Sequence, residues 1–189
     1  MQPTDRPEDV LPQSELTRLG SLYSWQSILF IALTLLGLGA GIYYIFGFTW
    51  NGERLLEGEY YWIFIGLFAA ASFIAMPARR KTKHVAFYDL VLAAISLAIG
   101  VYFSLNARDM VIVGWTDVPV GVVVWLLMLE LSRRSGGVPF FLVVLLLGLY
   151  PVVAHLLPGL LEGMNYDFAQ TIEAHVFRSE GMMGITTKI

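Results

Sequence analysis

The chain is predicted to be all-α, a polytopic integral membrane protein, and three observations carry that prediction. Five long apolar runs divide its 189 residues, hydrophobic residues make up 57% and charged ones 14%, and lysines and arginines gather in alternate gaps between the runs. Charged side chains average about 25% in soluble domains, so a soluble core is excluded. Peptide groups inside a bilayer find no water to bond, so runs of this length must satisfy themselves as helices rather than open strands.

The runs cover residues 25–48, 60–76, 87–105, 114–131 and 138–157. At about 1.5 Å per helical residue, a hydrocarbon layer of about 30 Å needs roughly 20 residues, with about 17 to 25 tolerated, so about five transmembrane helices are expected. Arg6 and Arg18 precede the first run, Arg79, Arg80, Lys81 and Lys83 follow the second, and Arg133 and Arg134 follow the fourth; the other two gaps hold only Arg54 and Arg108. This positive-inside bias places the N-terminus and the second and fourth gaps in the cytoplasm. The fifth helix then exits, and the segment from Pro158 lies outside or in the membrane.

Residues 1–24 carry Pro3, Pro7, Pro12, Asp5, Glu8, Asp9 and Glu15. A composition so polar buries no core, and a cytoplasmic leader is expected. The first run exceeds the roughly 7–15 apolar residues of a cleavable signal and follows an acidic leader, so it is expected to remain as a membrane helix. Trp25, Trp50, Tyr60, Tyr61, Trp62 and Trp115 fall at run ends, where amphipathic rings form interfacial belts. Gly37 and Gly41 form a GxxxG that lets another helix approach. The small side chains of Ala69, Ala70, Ala71 and Ser72 are its expected partner, and Pro77 stops the second helix.

Ionisable groups within membrane spans point to transport or proton relay, because a central charge is costly. Here Asp89 and Glu130 lie near run ends, and Glu130 is spaced to pair with Arg133 and Arg134 along a helix. Interfacial pairing is favoured over an ion-carrying role. His84, His155 and His175 share no ligand spacing, and the absence of cysteine removes disulfides and thiolate sites. No GxSxG, Walker loop or HExxH occurs, so neither an enzyme nor a resident metal or cofactor is expected. The net charge of -3 argues against a nucleic-acid partner. Arg79, Arg80, Lys81 and Lys83 read as a topology signal contacting anionic headgroups, and Arg133 and Arg134 as part of the topology signal.

In the fifth run Pro139 stands in the first turn, Pro151 lies inside and must free a carbonyl or kink the helix, and Pro158-Gly159 ends it. Over residues 166–178, Phe168, Ile172 and Val176 recur every four residues between Asp167, Gln170, Glu173 and His175. That spacing predicts an amphipathic helix near the C-terminus, with Asn165 as its cap, lying on the membrane surface or against a partner.

From Tyr60 onward the chain resembles the front end of the fused permeases of tripartite ATP-independent periplasmic (TRAP) transporters, particularly those served by TAXI-type binding proteins. The pieces run in order: Pro77-Ala78-Arg79-Arg80 followed by Tyr88-Asp89; Leu129-Glu130 to Arg133-Arg134; Leu157-Pro158-Gly159-Leu160-Leu161; and Phe177-Arg178-Ser179-Glu180-Gly181-Met182-Met183-Gly184-Ile185. The last is similar to the family's threonine-glutamate-glycine, two hydrophobic positions and glycine, with Ser179 replacing the threonine.

The resemblance implies a small four-helix module over residues 25–137 and, over 138–189, the first helix and connector of a larger module that carries the transport sites. It also implies a bacterial inner membrane location, and as partners the large permease module, a periplasmic TAXI-type substrate-binding protein and the lipid bilayer. Sodium would be the coupling ion of the whole transporter, not bound by this chain. Glu180, Gly181 and Gly184 are then the positions for hairpin geometry or substrate approach, against the competing reading of a surface loop. The chain departs from the family by stopping before nearly all of the transport module, so a fragment, a split subunit or an isolated small component is expected. A structural protein scaffolding an unrelated complex is the alternative reading.

Overall fold

A computed structural model of the chain describes residues 24–50, 52–78, 85–178 and 181–182. It is built from helices α1 (Ser24–Ile45), α2 (Glu57–Ala75), α3 (Phe87–Ile112), α4 (Val118–Val153) and α5 (Phe168–Val176), with a short hairpin of strands β1 (Thr49–Trp50) and β2 (Glu53–Arg54) between α1 and α2. Among the described residues four helices are long and apolar enough to cross a membrane, the last reaching 39 residues when its closing turn is included. The chain is therefore an all-α, multi-pass membrane protein.

The fourth of these helices folds back on itself. Gly137 has φ 75° and ψ -172° inside α4, a left-handed setting that a side chain would resist. A Cβ placed on Gly148 would lie 3.4 Å from the ring of Trp125. A straight helix would hold residues 23 apart at about 34 Å, so the chain must fold back between them. The two arms, residues 118–136 and 138–153, correspond to the fourth and fifth apolar runs. Pro139 sits in the first turn of the second arm, where its missing N–H costs no bond. Pro151 lies near its end, where the α-helix gives way to a 3-10 turn at Ala154–Leu156.

Each helix start has its own chemistry. Asp117 caps α4, accepting from the Val120 amide at 3.2 Å, and its other oxygen accepts from the Tyr102 hydroxyl at 2.7 Å. In α3 the Asp89 carboxylate accepts from the Ala86 amide at 3.3 Å, and in α2 Glu59 does so from Leu56 at 2.8 Å. Asp167, not Asn165, caps α5, in a reciprocal box with Gln170. The sequence favoured Asn165 on residue type alone, but only Asp167 stands three residues before a glutamine that can bond back.

Helices α2 and α3 approach backbone to backbone. A Cβ on Gly66 would come within 2.9 Å of the Gly100 Cα, and one on Gly100 within 2.8 Å of the Trp62 carbonyl oxygen. These two glycines let the backbones touch, which is how helices associate where lipid offers no hydrophobic drive. The GxxxG of α1 packs elsewhere than expected: Gly37 lies under the Phe68 ring and Gly41 faces the Tyr60 hydroxyl. The small side chains of Ala70 and Ala71 instead join Leu33, Phe73, Ile74, Ala93 and Leu127 in one core cluster.

A second cluster, of Trp62, Phe103, Ala107, Val124, Ile172 and Val176, fills the opposite end. Tyr61 and Trp62 are buried rather than members of an interfacial belt. Trp62 lies tilted against Phe103 at 4.4 Å between ring centres, while Tyr60 lies flat against Tyr44 at 4.5 Å. Position at a run end predicts a belt only if that face of the helix meets lipid, and here α3 covers it. The amphipathic helix α5 likewise turns inward: Ile172 and Val176 are fully buried by the chain's own α2, α3 and α4.

Candidate functional site

The strongest concentration of charge buried among the described residues closes the end of the bundle that the basic bias assigns to the cytoplasm. Glu130, Arg133 and Arg134 lie on one stripe of α4 because helical neighbours recur at three and four residues. Glu130 accepts from Arg133 Nε and Nη2 at 2.7 Å each and from Arg134 Nε at 2.8 Å. Arg134 reaches on through Nη1 to the Asp89 carboxylate at 2.7 Å and to the Met76 carbonyl at 3.0 Å. Its guanidinium lies 4.8 Å from the centre of the Phe73 ring.

The side chains of Arg134 and Asp89 are 1% and 0% exposed. A pair so enclosed survives only because geometry and further hydrogen bonds replace lost water. Arg134 also stands against the carbonyl end of α2, and Asp89 in the first turn of α3, so each charge meets the helix end whose partial charge opposes it. This clasp holds the termini of α2, α3 and α4 together. Arg133 adds a longer bond of 3.4 Å from Nη1 to the Ala78 carbonyl.

Beside the clasp lies an open recess of about 450 Å³, lined by Pro77, Ala78, Arg133, Arg134, Gly136, Gly137, Val138 and Pro139. The fold-back at Gly137 forms one of its walls.

The other end is fastened differently. A Cβ on Gly121 would meet Phe177 at 2.9 Å and Ile172 at 3.1 Å, so this glycine makes room for α5. The His175 imidazole bonds through Nε2 to the Gly148 carbonyl at 2.7 Å, and the Thr116 hydroxyl donates to Glu173 at 3.1 Å. Arg108 bridges Glu53 of the hairpin and Glu59 of α2, both at 3.1 Å.

Several expected positions change character. The pairing of Glu130 with Arg133 and Arg134 is present, but Arg134 is an internal fastener as well as a basic residue at a helix end. Arg79, Arg80, Lys81 and Lys83 lie outside the described residues, as do Glu180 and Gly184. Gly181 is described: its amide donates to the Arg178 carbonyl at 3.0 Å and it lies directly on the carbonyls of Ala174 and His175, so no side chain fits there. The Met182 amide then donates to His175 at 2.8 Å, so this stretch closes the C-terminus of α5. Gly37 lies under the Phe68 ring of α2, and Gly41 faces the Tyr60 hydroxyl.

The Asp89–Arg134 contact was missed. Topology alone brings both residues to the same membrane depth, yet which residue meets which depends on helix rotation. Among the described residues no group of three or more histidine, aspartate or glutamate side chains is placed to hold a metal ion. No protein-family model, curated protein or solved structure matches the chain.

Proposed function

We propose that this chain is a membrane subunit or segment of a TRAP-type secondary transporter of the bacterial inner membrane. In that role it supports sodium-coupled uptake of an organic acid that a periplasmic binding protein delivers. Its own contribution is mechanical, packing against and anchoring a larger transport module in the bilayer. The observation that carries the reading is the unequal burial of the spans. Half of the apolar stretch of α2 is buried, against 11% of that of α1 and 6% of that of α4. The body is thus organised around α2, and the second arm of α4 presents Phe140, Leu142, Val143, Leu146 and Leu147 outward. The ordered motifs from Pro77 to Ile185 supply the family.

The test is reconstitution of the chain with a candidate large module and its binding protein in proteoliposomes, with substrate uptake followed under a sodium gradient. Uptake should require residues 1–137. A chain that neither associates with such a module nor alters uptake sinks the assignment and leaves a scaffold of an unrelated complex.

A further inference from the structure

We propose that the recess beside the clasp binds a phosphate group, which an anionic phospholipid headgroup supplies at this depth. This inference is independent of the transport reading.

The volume, about 450 Å³, suits a headgroup, since small-molecule sites span about 300–1,000 Å³. Arg133 and Arg134 line it. A guanidinium carries five N–H groups; Arg133 commits two to Glu130 and one, at 3.4 Å, to Ala78, leaving two without a partner among the described residues. Its side chain is 34% exposed, so these donors are reachable. The planar fork of arginine matches phosphate oxygens better than a lysine ammonium does.

The electrostatic balance also favours an anion. Arg133 and Arg134 are offset by Glu130 and Asp89, so the clasp itself is neutral. One further contribution is positive. Gly137, Val138 and Pro139 bring the start of the second arm of α4 to the recess, the end of a helix that carries partial positive charge. The positive-inside bias sets this end at the inner leaflet, where basic pockets between helices meet anionic headgroups.

The test uses the full chain purified in detergent and titrated with phosphatidylglycerol or phosphatidylcholine, with bound lipid counted by native mass spectrometry. Phosphatidylglycerol should bind about tenfold more tightly, the effect of one charge-assisted hydrogen bond or two. R133Q should erase that preference, and R133K should keep part of it. A78F, which fills the recess without changing charge and lies beyond the end of α2, should erase it as well. A melting curve for each variant confirms that it is folded. Lipid that resists an excess of inorganic phosphate supports the site and assigns the headgroup as ligand; lipid displaced by it supports the site and assigns the free anion. Equal binding of the two lipids overturns the proposal. So does a preference that survives both R133Q and A78F and disappears only when Arg79, Arg80, Lys81 and Lys83 are replaced by glutamine, because the basic segment alone then holds the lipid.

Discussion

The two ends of the bundle solve the same problem with opposite chemistry. At the end that the basic bias assigns to the cytoplasm, here called the inner end, helix termini are drawn together by two arginines, one of them buried, two carboxylates and two main-chain carbonyls. At the outer end, aromatic and aliphatic side chains do the work, with α5 wedged over Trp62 and Phe103. The Phe103 and Phe177 rings meet edge to face there at 5.2 Å. The difference teaches where specificity and tolerance reside. A buried ion cluster fails badly when one partner is removed, because the charges left behind have no water. An apolar cluster loses contacts in proportion to the atoms deleted. The inner end should therefore respond to single substitutions all at once, and the outer end by degrees.

The largest expected effect is Arg134→Ala, which takes the guanidinium away from the buried Asp89 carboxylate while Glu130 keeps its bonds to Arg133, and should destabilise the fold by about 3–5 kcal/mol in an unfolding titration in mixed micelles. Replacing both partners, as R134Q with D89N, should recover much of that loss; a double variant no better than R134A would mean that the pair is not coupled. Next, Ile172→Ala should cost about 2–5 kcal/mol by opening a cavity beneath α5. Its signature is loss of α5 packing, seen as faster amide exchange over residues 168–176, while the inner end keeps its protection. If R134A and I172A loosen both ends equally, the contrast between them is wrong.

A smaller effect is expected between the two ends. Gly66→Ala must push α2 away from Gly100 and should cost about 1–3 kcal/mol, read in the same titration. The least is expected at the surface. Arg108→Gln removes bonds to Glu53 and Glu59 from a half-exposed site, and should leave the unfolding midpoint unchanged at high salt. A salt-resistant shift there would show that the outer end also relies on charge.

Much of the fold was legible. Apolar runs of membrane length mark the passes, and Pro139 and the preceding Gly136-Gly137 mark the turn between the last two. Boundaries were less so: α3 continues through Asn106, Arg108 and Asp109 to Ile112, past the apolar run, because polar side chains at a membrane surface do not interrupt helical hydrogen bonding. The β1–β2 hairpin was overlooked although Asn51-Gly52 between its strands is the dipeptide that two-residue hairpins prefer, and Gly52 has φ 83°. Of the clasp, Glu130 with Arg133 and Arg134 could be read from spacing. Asp89 could not be joined to them, because it lies 45 residues away and on another helix.

By itself, the sequence determined that this is a multi-pass helical membrane protein, because hydrophobic length acts locally and needs no partner helix. Only the tertiary structure decided which faces meet. It buried Trp62 instead of leaving it in a belt, set Gly66 against Gly100, turned Ile172 and Val176 inward, and made Arg134 the fastener of three helix ends. The physical reason is that in an apolar solvent every face of such a helix is nearly equally content against lipid. Rotation and pairing are therefore settled by small-residue contacts and buried hydrogen bonds, which exist only between elements distant in sequence.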